Sequence, residues 1–183
     1  MRIALYEHRA GVQTAPGDRV VYDIAANEAH FGAARIAGPA LVWELGGDGD
    51  GAVLSGEVEI GSVDRIVRCD RIDFPPGGIA YRHTHPGGGI RRLLFGSIQI
   101  DAPGHSATHG PGEAWFEGPD YPVLATASGS EPTAFVRVML LPVEWEGKRT
   151  IRYLDPADEE KPKLQRPTVF FDHCLESGLG GVT

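Results

Sequence analysis

Two histidines, His83 and His85, are separated by a single residue in the segment Tyr-Arg-His-Thr-His-Pro-Gly. Successive side chains of an extended strand point to opposite faces, so both imidazoles project from one face. Pro86 and the glycines after it argue against a helix here. Imidazole nitrogens placed in this way can bind a divalent transition metal. The pair predicts either a metal site or a hydrogen-bonded pair without metal, in both cases beside a pocket.

The rest of the chain predicts short strands that would position this pair. The 25 glycines and 14 prolines have no collagen-like period, so they indicate tight turns between strands. Helical signals are nearly absent: only an alanine-rich stretch, residues 24–36, is compatible with a short helix, and Gly32 weakens that prediction. The fold class predicted is therefore all-β, an antiparallel sandwich or barrel. The predicted strands are residues 19–24, 40–45, 53–60, 64–74, the histidine strand, 91–95, 97–101, 113–117, 123–127 and 133–141.

The length of 183 residues suits one domain with a sizeable core. We divide it into N-terminal strands (1–62) that pack on the same domain, a core (63–142) and a C-terminal extension (143–183). Within the extension, the charged and proline-containing residues 155–167 predict an exposed connection. The apolar residues 169–171 that follow are expected to dock onto the body of the protein or onto a partner subunit.

The formal net charge of −8, with no basic cluster, disfavours nucleic acid as a partner. The chain shows no signal-peptide pattern and no stretch of about 18 apolar residues, so a cytoplasmic protein without membrane contact is expected. Cys69 and Cys174 are expected to be reduced. No phosphate loop and no Gly-x-Ser-x-Gly elbow occur, so no nucleotide cofactor is predicted.

The histidine segment resembles the first motif of the cupin superfamily. That motif consists of a glycine, five residues, His-x-His, three or four residues, a glutamate, six residues and a glycine. Here Gly77 lies five residues before the His-Thr-His triplet. Gly89 stands where the family has its glutamate, and Gly96 takes the position of the last glycine.

A second, weaker likeness follows along the chain. The second cupin motif is a glycine, five residues, Pro-x-Gly, two residues and a histidine. Gly112 fits its first position, Gly-Pro-Asp at residues 118–120 replaces Pro-x-Gly, and Val123 stands where the family has histidine. The resemblance extends over about residues 65–141, which is under half of the chain.

This resemblance implies a small antiparallel β-barrel, or jelly roll, that is open at one end. Members of the family hold Mn, Fe, Ni, Zn or a similar ion inside the barrel through three histidines and a glutamate. Only two of these four ligands, at His83 and His85, are retained in this sequence.

Two other residues are candidates for completing a metal site. Glu117 lies just before the Gly-Pro-Asp of the second motif, and with the two histidines it would form a two-histidine, one-carboxylate set. Its alternative role is a buried or rim carboxylate that pairs with an arginine. Gln99, on the next strand, is a possible oxygen donor, and its alternative is an ordinary polar residue between Ile98 and Ile100.

Two residues are candidates for binding a substrate. Arg91 shares strand parity with Gly89 and is expected to point into the barrel, where a guanidinium would bind a carboxylate or phosphate. It would be solvated if the glycine-rich turn resets the parity. Tyr81 has the parity of His83, so it would line the pocket or serve as a core aromatic residue.

Three functions are compatible with these features. The first is a divalent-metal-dependent enzyme of oxygenase, isomerase or lyase type that acts on a small anionic metabolite. The second is a non-catalytic small-molecule-binding or sensor protein with a vestigial metal site. The third is a mainly structural protein. Because cupins commonly pair through edge strands, the resemblance also implies a homodimer.

Overall fold

The computed structural model describes residues 1–61 and 64–175, and this part of the chain consists almost entirely of antiparallel strands. The all-β class predicted from the sequence is confirmed. Two short 3-10 turns, Val143–Trp145 and Pro156–Glu159, lie near the C-terminal end. The strands are β1 (Arg2–His8), β2 (Val12–Gln13), β3 (Arg19–Asp23), β4 (Glu28–Phe31), β5 (Arg35–Ile36), β6 (Ala40–Leu45), β7 (Leu54–Glu57), β8 (Arg65–Phe74), β9 (Ile79–Thr84), β10 (Gly88–Phe95), β11 (Ile98–Ala102), β12 (His105–His109), β13 (Ala114–Glu117), β14 (Val123–Ala127), β15 (Thr133–Pro142), β16 (Arg152–Tyr153) and β17 (Arg166–Leu175).

The N-terminal strands form a five-stranded sheet in the order β4-β3-β6-β1-β7. In this sheet Leu5 of β1 lies opposite Trp43 of β6, and both side chains are fully buried. They belong to a core cluster that also contains Val67 and Val138 from the next sheet. The N-terminal sheet therefore packs its apolar face directly onto the sheet that contains β8 and β15.

Residues 24–36, predicted as a short helix, instead form the hairpin between β3 and β4 and the short strand β5. The Asp23 carboxylate accepts hydrogen bonds from the backbone N–H groups of Ala25 and Ala26 at 2.9 and 3.0 Å. Asn27 follows with a positive φ of 54°. The helix prediction is wrong because this aspartate turn satisfies the backbone locally, which outweighs the helix propensity of the alanines.

The middle sheet has the strand order β13-β10-β15-β8-β17. Its central strand β15 is buried along nearly its whole length. Alternate residues of β15 face opposite ways: Val136 and Val138 pack on the N-terminal sheet, whereas Phe135 and Arg137 line a cavity on the other side. Because both faces of the strand are covered, the sequence of β15 is an almost continuous apolar run.

The third sheet, in the order β12-β11-β14-β9-β16, covers the other side of that cavity. Its inward residues include Ile100 on β11 and Val123 and Ala125 on β14, and all three line the cavity. The middle and third sheets thus form a barrel-like chamber, and the N-terminal sheet is a third layer outside it.

The C-terminal strand β17 pairs antiparallel with β8 at the edge of the middle sheet. Phe170 lies 5.7 Å from Tyr22 between ring centroids, and Phe171 lies 6.5 Å from Phe31. Of the two placements expected for residues 169–171, the structure shows the one on the body of the protein. Residues 155–167 are mostly exposed, as predicted, although they include the short turn Pro156–Glu159.

Both cysteines are free thiols, with Cys69 buried in the middle sheet and Cys174 exposed on β17. Burial raises the pKa of the Cys69 thiol well above its usual range, which keeps it protonated and unreactive. No helix within residues 1–61 and 64–175 has the length and apolar character needed to cross a membrane.

Candidate functional site

A cavity of about 560 Å³ lies between the middle and third sheets. One part of its lining, the apolar wall, is aliphatic and aromatic and comes from both sheets, and the rest carries arginines, carboxylates and the two histidines. On the side of residues 147–165 the lining includes exposed residues such as Lys148 and Arg149, so the cavity meets solvent there. The apolar wall consists of Ile72, Phe74, Ala80, Ile100, Trp115, Val123, Ala125 and Phe135.

His83 lines this cavity and is only 5% exposed. Its Nδ1 atom lies 2.6 Å from the backbone oxygen of Tyr81. A carbonyl oxygen only accepts hydrogen bonds, so Nδ1 carries the proton and Nε2 carries the lone pair. The residues that the structure describes form no hydrogen bond to Nε2, and this atom is therefore available to a molecule in the cavity.

His85 also lines the cavity, but both of its ring nitrogens have partners. Its Nε2 lies 3.0 Å from Nη1 of Arg137, and its Nδ1 lies 3.1 Å from the Thr150 hydroxyl. A guanidinium only donates, so Nε2 of His85 accepts from Arg137 and Nδ1–H donates to Thr150. This histidine connects strand β9 to β15 and to the segment before β16.

Both histidines are held in the neutral form near neutral pH. Burial lowers the pKa of His83, and the charges of Arg137 and Arg91 act in the same direction. Burial also lowers the pKa of His85 well below its usual range, with Arg137 as the next cause. A neutral imidazole can accept a proton, and it can accept a hydrogen bond through its lone pair.

Arg137 forms a bidentate pair with Asp70, with Nε–Oδ1 and Nη2–Oδ2 distances of 2.7 and 2.9 Å. The two residues lie opposite each other in the antiparallel register of β15 and β8. Asp70 is 1% exposed and Arg137 is 7% exposed. Two hydrogen bonds in a fork orient the guanidinium, which in turn fixes the ring of His85.

Arg91 forms a second buried pair, with Glu117. Its Nη2 lies 2.7 Å from Glu117 Oε2, and the indole N–H of Trp115 donates to Glu117 Oε1 at 2.8 Å. The Arg91 guanidinium also donates to the backbone oxygen of Gly89 at 2.8 Å. Burial lowers the pKa of Arg91 to about 10, so it remains charged at neutral pH.

A third pair lies toward the solvent side of the cavity. Arg68 donates from Nε and Nη2 to the two carboxylate oxygens of Asp172, each at 2.6 Å. It also donates to the backbone oxygens of Lys148 and Trp145. Arg68 therefore ties strand β17 and the segment after β15 to the barrel wall.

Four of the six residues predicted for the site line the cavity: His83, His85, Arg91 and Glu117. Arg91 points inward as its parity with Gly89 predicted, so the glycine-rich turn does not expose it. Glu117 takes the alternative role that was considered for it, a carboxylate paired with an arginine.

The structure places the other two predicted site residues, Tyr81 and Gln99, outside the cavity. Strand β9 has a bulge, because Val123 pairs with His83 while Ala125 pairs with Ala80, and this extra residue reverses the parity of Tyr81. The Tyr81 ring instead packs against Lys161, whose Nζ lies 4.6 Å from its centroid. Gln99 is on the exposed face of β11 and donates to Asp101.

At two positions where the cupin motifs have a metal ligand, this chain has Gly89 and Val123. The structure of the chain around these two positions differs. At Gly89 a Cβ atom would lie 1.9 Å from the backbone oxygen of Val138, so the close approach of β10 and β15 leaves no room for a glutamate. Val123 does face the cavity, opposite His83 in the strand register, but a valine offers no donor atom.

This donor set does not fit a resident metal ion. The lone pair of His85 is used by Arg137, and the carboxylate of Glu117 is used by Arg91 and Trp115. Within residues 1–61 and 64–175, no group of three His, Cys, Asp or Glu side chains is arranged to hold a metal. The adjacent guanidinium groups also disfavour a cation. Of His83, His85 and Glu117, only His83 keeps a ligand atom that no described residue uses.

Sequence reasoning missed the pairs of Arg137 with Asp70 and of Arg68 with Asp172. One signal for the first was present: Arg137 is a single charged residue inside the apolar run of β15. A charge in a buried strand requires a partner, so this position indicates a site. The sequence offered no comparable signal for Asp172.

Comparison with protein-family models finds no match, and comparison with curated proteins finds none either. Comparison with solved structures finds similar chains. The polyketide cyclase RemF from Streptomyces resistomycificus is 22% identical, with a TM-score of 0.40 over 48% of this chain and 61% of the cyclase. A cupin-like protein from Thermotoga maritima is 17% identical, with a TM-score of 0.41 over 53% of this chain and 73% of that one.

A third similar structure is described as a sugar phosphate isomerase from a cupin superfamily, from Silicibacter pomeroyi. It is 16% identical, with a TM-score of 0.38 over 49% of this chain and 57% of that one. The sequence motifs predicted a similarity to cupins, and two of these three solved structures are described as cupin-like or as coming from a cupin superfamily.

Proposed function

We propose that this protein binds one small organic anion with a largely apolar body in its barrel cavity, without a resident metal ion. The observation that carries the proposal is that the cavity lining combines a large apolar part with buried charged groups. Aliphatic and aromatic side chains from both sheets form the apolar part, and three buried arginines of the middle sheet, Arg68, Arg91 and Arg137, also line the cavity. Pockets of this kind hold the apolar body by contact and orient it through a few polar groups.

The charge of the lining supports an anionic ligand. Six lining residues are Lys or Arg and four are Asp or Glu, whereas the whole chain has a formal net charge of −8. An excess of positive charge in the cavity of an acidic protein favours entry of anions over cations. The lining residues that carry charge are Arg68, Arg91, Arg137, Lys148, Arg149, Lys163, Asp70, Glu117, Glu159 and Asp172.

The size of the cavity supports a single metabolite-sized ligand. Small-molecule pockets in proteins range over roughly 300–1,000 Å³, and this one has about 560 Å³. A polymer or a folded partner would not fit between the two sheets. The open side next to Lys148 and Arg149 gives a path for entry.

Anilinonaphthalene sulfonate tests the proposal, because it combines an aromatic body with one anionic group. We expect saturable binding of one molecule per chain, seen as enhanced probe fluorescence. Ala125→Trp fills the cavity wall and is expected to weaken binding at least tenfold. Thr126→Trp, on the outward face of the same strand, is the matched control and should bind as wild type does. Equal binding by the two variants would contradict the proposal.

Metal analysis tests the second part of the proposal. Protein purified without chelator and then reloaded with transition metals is expected to retain less than about 0.1 ion per chain. The competing hypothesis is the metal-dependent enzyme predicted from the sequence. It would be favoured by a stoichiometric metal that is lost when His83 and His85 are both changed to alanine.

The homodimer implied by the cupin resemblance stays a prediction. Light scattering of the purified chain distinguishes a dimer from a monomer of 19.6 kDa. A dimer would cover edge strands of the kind that β17 presents at the end of the middle sheet.

A further inference from the structure

We propose that His83 is a general base for a bound molecule, which would make this protein a metal-independent proton-transfer enzyme. The inference rests on the proposed function, since the reacting molecule must first occupy the cavity. It distinguishes the two histidines of the pair: His85 is held by hydrogen bonds at both ring nitrogens, and His83 acts on the ligand.

The geometry of His83 supports this role. The hydrogen bond from Nδ1–H to the Tyr81 carbonyl fixes the tautomer and the ring orientation. Nε2 lies on the opposite side of the ring, and the described residues leave its lone pair without a hydrogen bond. A neutral, oriented imidazole in a largely apolar chamber is suited to remove a proton from carbon or oxygen.

His85 differs because both of its nitrogens are occupied, by Arg137 and by the Thr150 hydroxyl. Its ring is nearly perpendicular to that of His83, with centroids 5.0 Å apart and an interplanar angle of 83°. Although only one residue separates them, His85 uses both ring nitrogens in hydrogen bonds, whereas His83 keeps an available lone pair on Nε2.

Arg137 supplies the complementary charge. Its hydrogen bonds to Asp70 and His85 use three of the five guanidinium N–H groups, which leaves two for a ligand. Negative charge that develops on an electronegative atom of the substrate would be stabilised there. Because Asp70 holds the guanidinium in place, the donors are oriented before the reaction begins.

The proposed step is the removal of a proton from carbon. Nε2 of His83 takes the proton of a C–H bond, and the electron pair of that bond forms a new π-bond to the neighbouring atom. The negative charge moves onto an electronegative atom near Arg137, which either stays bonded to the substrate, as in an enolate, or departs with the electron pair of its broken bond. The resulting imidazolium then returns its proton to the substrate or to water, which regenerates the neutral histidine.

Nitrobenzisoxazole is a suitable probe, because base removal of its C–H proton breaks the N–O bond and releases a coloured cyanophenolate. We expect wild type, with EDTA present, to convert it with saturable kinetics. His83→Asn keeps an N–H that can reach the Tyr81 carbonyl, and it should lower the rate by about 10²-fold or more. His105→Asn, at an exposed histidine on β12, is the matched control and should retain the rate.

Anilinonaphthalene sulfonate binding separates the possible failures. If wild type does not bind it, the proposed function fails. If wild type and His83→Asn bind it equally and convert nitrobenzisoxazole equally, including a shared absence of conversion, the general-base role is overturned while the binding function remains.

A chemical test does not depend on the folding of a variant. Diethyl pyrocarbonate modifies neutral imidazoles, and wild type treated with it should lose conversion in proportion to the modification of His83 measured by peptide mass spectrometry. Anilinonaphthalene sulfonate should protect His83. Full conversion by protein that is modified at His83 would overturn the proposal.

Discussion

The two faces of the middle sheet are built from alternate residues of the same strands, yet their chemistry differs. On β15, Val138 and Leu140 are 0% exposed and pack against the N-terminal sheet. Arg137, the residue directly before Val138, is also buried, but it faces the cavity and pairs with Asp70. The face toward the N-terminal sheet is mostly apolar core, with the buried Arg92 paired to Glu7, whereas the cavity face of the described residues carries three buried arginine–carboxylate pairs.

The requirement for a stable fold explains the amino-acid composition of one face of the middle sheet better than that of the other. Burying an ion pair costs desolvation energy that the attraction between the charges barely offsets, so apolar replacements are often neutral or stabilising. The apolar face has the composition expected for folding. The charged face has a composition that binding explains better than stability does, because its arginines border the cavity.

The largest effect is expected from Arg137→Met. This change leaves the Asp70 carboxylate buried without a partner and should lower the free energy of unfolding by about 3–5 kcal/mol. Urea denaturation measures the loss. Changing Asp70→Leu as well removes the unpaired charge, so the double variant should be more stable than the single one. If the double variant is the less stable of the two, the ion pair contributes more to stability than we infer.

The apolar face should respond differently to Leu140→Ala. Removing this fully buried side chain should lower the free energy of unfolding by about 2–5 kcal/mol, because it loses apolar contact and leaves a cavity. Anilinonaphthalene sulfonate should still bind the folded variant with wild-type affinity. A large change in affinity would mean that the two faces are not independent.

The histidines predict a loss of stability in mild acid. Burial lowers the pKa of both His83 and His85, so below about pH 6.5 the unfolded chain binds more protons than the folded one. Stability is therefore fully present above that pH and falls by up to about 1.4 kcal/mol per pH unit for each histidine. The pKa of Asp172 is also lowered, so its contribution is lost only in stronger acid.

Urea unfolding between about pH 7.5 and 5.5 measures this effect, because in this pH range histidines change their protonation whereas most carboxylates stay ionised. His85→Asn should show a shallower decline than wild type. An unchanged decline would place the acid sensitivity elsewhere in the molecule.

The smallest effect is expected from Gln99→Ala, on the exposed face of β11. Surface substitutions of this kind change the free energy of unfolding by less than about 0.5 kcal/mol. Binding of anilinonaphthalene sulfonate should also be unaffected, because Gln99 does not line the cavity. Weaker binding by this variant would argue against the assignment of the inner and outer faces of the third sheet.

Much of the fold could be predicted because its signals are local. Turn residues and alternating apolar patterns mark most of the strands, and the buried run of β15 is evident from composition. The parity argument placed Arg91 inside correctly. It failed for Tyr81 because a single extra residue in β9 turns the Tyr81 side chain to the opposite face of the sheet. No residue type in that stretch of the sequence indicates the bulge.

The sequence by itself determined the all-β class, the inward histidine pair and the absence of two motif ligands. Only the tertiary structure decided what the pair can do, because its partners are remote in the chain. Arg137 lies 52 residues from His85 and 67 from Asp70, and Thr150 lies 65 from His85. Strand periodicity acts over neighbouring residues, whereas strand pairing selects which distant charges meet and which lone pair remains available.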